Sequence, residues 1–236
     1  MRIGVGASRP ARGLILLFWA FGSVASADAK HTYPTMAPIA QYRVATQTEE
    51  IDLARSATPT SISGNATVLV LGSSGYETAV KGKNEFICLV MRSWAADFAD
   101  AEFWNPKLRA PICLNPAAGR SVLPGYLERT KWVLSGVSKS DMIARTKAAL
   151  AAKTWLAPEP GAMAYMMSKR GYVSDAAGHW HPHLMFFLPH TEGATWGANL
   201  DGSPIIVAQS DPEPVTTFFV PVTHWSDGTP AIMEKH

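Results

Sequence analysis

The chain has 236 residues, 47% hydrophobic and 17% charged, with 18 glycines, 17 prolines and 2 cysteines. Those proportions exclude a disordered tail, a coiled coil and a disulfide-dense miniprotein, and the length is enough to bury a sizeable core without staples. The formal charge is +2, from 21 Lys and Arg against 19 Asp and Glu; so even a balance does not draw a phosphate backbone, and no nucleic-acid partner is expected.

Arg2, Arg9 and Arg12 precede an apolar run over 14–21, and Ala25-Ser26-Ala27 then offers the small residues a signal peptidase requires. Residues 1–27 therefore read as a secretory signal peptide, cleaved after Ala27. The run is far shorter than the roughly 20 residues that cross a bilayer, and no later stretch approaches that length. The expectation is a secreted or periplasmic soluble protein with no transmembrane segment in the mature chain. Loss of three arginines would bring its charge to about −1. In an oxidising compartment, Cys88 and Cys113 form a disulfide in the most economical reading. The alternative is two buried thiols. A catalytic thiol is disfavoured, because neither cysteine has a Cys-x-x-Cys neighbour or a local cluster of positive charge to lower its pKa.

Residues 28–45, rich in Ala, Pro and Thr, suggest an extended mature N-terminus. From Thr46 the spacing predicts a short helix, with Thr48 as cap and Glu49 and Glu50 at its positive end, running until Pro59. Strands are predicted over 67–71, 76–80 and 85–91, in the manner of a β-meander, with Gly72-Ser73-Ser74-Gly75 as a hairpin turn. Its glycines are too close for a Gly-x-Ser-x-Gly nucleophile elbow. The stretch 93–124 is aromatic and punctuated by proline, and reads as irregular cover for a core. Helices are predicted over 125–134 and 140–155, the second capped by Ser140, and further strands over 162–167, 181–188, 204–209 and 216–222. Residues 46–236 thus read as a single α+β domain, a mainly antiparallel sheet with two to three helices packed on one side.

Chemistry concentrates in Gly178-His179-Trp180-His181-Pro182-His183. Four of the seven histidines, His179, His181, His183 and His190, fall within twelve residues. On a strand, His179, His181 and His183 would share a face with Met185 and Phe187, while Trp180, Leu184, Phe186 and Leu188 would face the core. Residues two apart lie about 6.6 Å from one another along a strand, close enough for two imidazoles to hold one ion, whereas His179 and His183 are roughly 13 Å apart. Pro182 implies an edge or a bend that could bring the third histidine in. The reading is a transition-metal site of two of these three plus a ligand from His190, Glu192 or His224, with Asp175 as an outer carboxylate orienting a ligand. Locally these strand histidines resemble those of carbonic anhydrases and of cupins, over fewer than ten residues, without the Glu that follows in cupins.

Nitrogen-rich ligation suits zinc, and Met185 keeps copper in play. An open zinc position would activate water and imply a metal-dependent hydrolase or lyase, with Glu192 or Asp175 as base. The competing class is a non-catalytic periplasmic or secreted binding or envelope protein. Its histidines would be structural, and its tryptophans would meet a small molecule or an envelope partner. No P-loop or dinucleotide fingerprint is present, and the sequon Asn65-Ala66-Thr67 matters only in a eukaryotic secretory host.

Overall fold

A computed structural model describes residues 33–175, 178 and 180–231. The expected leader, the first five residues (28–32) of the expected extended N-terminus, and His179 lie outside the described residues; the rest of that segment is not simply extended, since it forms a short 3-10 turn (Ile39–Tyr42) that buries Tyr42 in the main core.

The first helix, α1 (Gln47–Arg55), begins at a reciprocal cap. Thr46 Oγ1 accepts from the Glu49 amide, and the Glu49 carboxylate accepts from the Thr46 amide, both at 3.1 Å. Two donors that helix geometry leaves orphaned are thereby satisfied, so the cap is Thr46 rather than Thr48. A single helical turn follows, α2 (Thr60–Ser63), and then β1 (Thr67–Leu71), β2 (Tyr76–Val80) and β3 (Ile87–Met91). The expected turn joins β1 to β2, with the Gly72 amide donating to the Gly75 carbonyl at 2.8 Å. These strands are not a meander. β2 pairs antiparallel with one side of β1, while β3 pairs parallel with the other.

Within 93–124 the chain is more regular than expected. Trp94, Phe98, Phe103 and Trp104 are indeed buried in the main core, but β4 (Ala110–Leu114) follows them and pairs along its full length with β3. Next come α3 (Pro116–Ser121), α4 (Leu123–Leu134) and α5 (Lys139–Ala151). Ser138, not Ser140, caps α5 by accepting from the Asp141 amide. The sheet is completed by β5 (Met163–Met166), β6 (His183–Pro189), β7 (Ile206–Ser210) and β8 (Val215–Pro221), close to the expected spans.

Among the described residues eight strands form one mixed sheet in the order β2-β1-β3-β4-β5-β6-β8-β7, antiparallel except between β1 and β3. This is the expected α+β class, but the five helices among the described residues are not all on one side. Val68, Cys88, Cys113 and Tyr165 are register partners in a row across four strands, and with Leu53 and Ala54 of α1 they form or flank a small core on one face. The other face carries the larger core, where Leu89, Ile112, Leu114, Ala164 and Phe187 meet residues of α3, α4 and α5. Cys88 and Cys113, paired directly across β3 and β4 with Cα atoms 4.0 Å apart, form the expected disulfide.

One buried ion pair joins the layers: Arg92, just beyond β3, reaches Glu50 of α1 at 2.7 Å. No helix among the described residues is long and apolar enough to cross a membrane.

Candidate metal centre

The histidine segment enters the sheet at Pro182, whose carbonyl accepts from the Val222 amide at 2.8 Å. Regular pairing starts at His183, which stands between Met166 of β5 and Pro221 of β8. Residues before His183 are therefore outside the strand alternation. Trp180, expected on the face opposite the histidines, instead packs its ring 5.1 Å from that of His183 and 5.4 Å from that of Phe219. The face assignment of β6 is also corrected: His183 and Phe187 are buried while Leu184, Phe186 and Leu188 are only half-buried. The larger core covers the histidine face of β6, whereas α1 packs against β1, β3 and β4 and does not extend this far.

His183 is 4% exposed. Its Nδ1 lies 2.7 Å from the His181 carbonyl oxygen. A carbonyl can only accept, so Nδ1 carries the proton and Nε2 presents a lone pair. Nε2 is buried and has no hydrogen-bond partner among the described residues. Burial lowers the imidazole pKa and so favours the neutral ring, against the opposing effect of the His181 carbonyl, which raises it. The ring lines a cavity of about 10 Å³ together with Pro111, Met166, Ser168, Val173 and Trp180, space for a single atom-sized guest. The Ser168 hydroxyl is already engaged, at 2.6 Å from Ser56 Oγ and accepting from the Arg170 amide at 3.1 Å. A buried imidazole held by a backbone carbonyl on one nitrogen, with its other nitrogen unpartnered among the described residues and a small cavity beside the residue, has the second-nitrogen support that an oriented metal ligand requires.

The remaining candidates are distributed as follows. His181, half-buried, precedes His183 at the same end of the sheet. His224 is there too, following Val222, and its Nδ1 lies 2.9 Å from Thr223 Oγ1. His190 is at the opposite end of β6, roughly 23 Å from His183 at about 3.3 Å per residue, exposed and 4.0 Å from Glu192. Strand length thus separates both His190 and Glu192 from the cavity. Asp175 is committed elsewhere: its carboxylate accepts from the hydroxyls of Tyr33 and Tyr172 and from Lys107 at 3.2 Å. The Tyr172 and Tyr33 hydroxyls, with help from Lys107, hold that carboxyl far below the ordinary carboxylate range. Among the described residues no three His, Cys, Asp or Glu side chains converge as a metal cluster.

Met166 beside His183 was not anticipated: its signal is the register of β5 on β6, a long-range property that local periodicity does not carry. A second cleft, of about 430 Å³, is lined by Asp97, Phe98, Ile143, Lys147, Asp211 and Pro212 and holds no histidine. Compared with known proteins, the chain matches no family model, no curated protein and no solved structure.

Proposed function

We propose that the protein is exported and binds a transition-metal ion at the entrance of β6, with His183 as its anchoring ligand. The observation that carries this reading is the His183 imidazole, fixed through Nδ1, its Nε2 buried and unpartnered among the described residues, in a residue that lines a cavity of about 10 Å³. Export is supported by the Arg-containing leader pattern and by the Cys88–Cys113 disulfide, a bond that persists in oxidising compartments. Elemental analysis of untagged protein, purified without chelators, should find about one ion per chain, and His183→Gln should abolish it with the fold retained. Metal content unchanged in that variant would overturn the reading.

A second reading, a binding or envelope protein acting through its surface, is favoured by the segment between β6 and β7. Trp196 and Leu200, 38% and 58% exposed, lie there beside the edge of the sheet, and exposed large apolar groups suit a partner. Loss of a captured envelope partner on Leu200→Ser, with metal content unaffected, would support it.

A further inference from the structure

We infer that the ion at His183 is copper(I), held between His183 Nε2 and the thioether of Met166 and covered by the Trp180 indole. This rests on the metal-binding reading above and names the ion class.

Three observations lead to it. Met166 and His183 are direct register partners across β5 and β6, so their side chains leave the same face of the sheet from Cβ atoms about 5 Å apart. Both side chains line the same cavity. Hard oxygen donors are scarce there, since the Ser168 hydroxyl is already shared between Ser56 and Arg170.

Zinc sites take four nitrogen, sulfur or oxygen ligands in a tetrahedron, and no three His, Cys, Asp or Glu side chains converge among the described residues. Among the described residues, the side chains lining the cavity with a nitrogen or sulfur able to ligate are the His183 imidazole and the Met166 thioether. Thioether sulfur is a soft ligand that selects copper(I), and that closed-shell monovalent ion is stable with as few as two donors. Trp180 adds a further element. Its indole lies against the His183 ring and is 39% exposed, so it stands at the solvent side of the site. An indole face attracts a cation and shields it from water and oxidant. Pro111 and Val173 complete apolar walls that would penalise a doubly charged ion more than a singly charged one.

The test is a competition titration of the untagged, metal-free chain under anaerobic conditions, with copper(I) supplied by a chromophoric copper(I) chelator and zinc titrated in parallel. The expected result is one copper(I) per chain with quenching of tryptophan fluorescence. Met166→Leu, a substitution that conserves volume, should weaken copper(I) at least tenfold. Trp180→Phe should retain binding but lose most of the quenching. Copper(I) bound equally well by Met166→Leu would overturn the thioether ligand. Zinc uptake without copper(I) uptake would overturn this inference and leave the metal-binding reading standing. Uptake of neither ion would overturn both.

Discussion

The guanidinium of Arg92 donates to the Glu50 carboxylate at 2.7 Å, and both side chains are buried. Arg92 also donates through Nε to the Tyr42 carbonyl at 2.6 Å, and the same Glu50 oxygen accepts from the Leu71 amide at 3.2 Å. The pair therefore fastens α1 to the ends of β1 and β3, with all three guanidinium nitrogens of Arg92 engaged. Removing one partner alone leaves a buried charge uncompensated. Glu50→Gln should cost about 3–5 kcal/mol in urea unfolding, and adding Arg92→Met should recover part of that loss. A double variant as unstable as the sum of its singles would show that the two side chains act independently.

The helix cap provides a sharper local comparison. Thr46→Ala removes the acceptor for the Glu49 amide and should cost about 1 kcal/mol, whereas Thr48→Ala, at an exposed position inside the first turn, should stay within about 0.5 kcal/mol. Equal losses in thermal melts would contradict the cap geometry.

Replacing both Cys88 and Cys113 by Ser should destabilise the protein by about 3 kcal/mol, the loop-closure expectation for a 25-residue separation. The two Ser hydroxyls would sit where fully buried sulfurs now pack, so reduction of the wild-type protein should cost less than the double substitution. Chemical unfolding with and without reductant gives both numbers.

Asp175 links stability to acid. Its carboxyl is depressed in the folded protein below the ordinary value of 3.8, so the folded state binds fewer protons than the unfolded one in that window. The stabilisation is complete above about pH 5 and disappears as pH falls below 3.8 toward the folded value. Asp175→Asn should therefore lower stability by about 1–3 kcal/mol at neutral pH and flatten the acid limb of the stability curve. It should also release Tyr33, seen as faster hydrogen exchange around residue 33. Lys107→Ala should do little by comparison, since the lysine side chain is largely exposed. An acid limb identical in Asp175→Asn and wild type would rule out this linkage.

Seven of the eight strands were legible because each is a short run of apolar, β-branched or aromatic residues bounded by Gly, Pro or Asn. β4 was hidden by Pro111, which normally argues against a central strand. The structure accommodates it because β5 pairs only with Cys113 and Leu114, leaving Pro111 where β4 has a ladder on one side. The parallel placement of β3 beside β1 was invisible for a related reason: six residues separate β2 from β3, and so short a connection suggests a hairpin. At the candidate site, the histidine cluster that includes His183 stood out in the sequence by its spacing. Met166 did not, because only the register of β5 on β6 sets a thioether seventeen positions earlier against that imidazole.

The Cys88–Cys113 bond has a consequence for the chain before it folds. The loop it closes contains Trp94, Phe98, Phe103 and Trp104, all of which end in the larger core. An oxidised, denatured chain keeps these four rings tethered close to the sulfurs of the two central strands, so a hydrophobic nucleus has little volume to search. A reduced chain must find the same arrangement across an open segment, and it should expose more surface on unfolding, with a steeper dependence on denaturant.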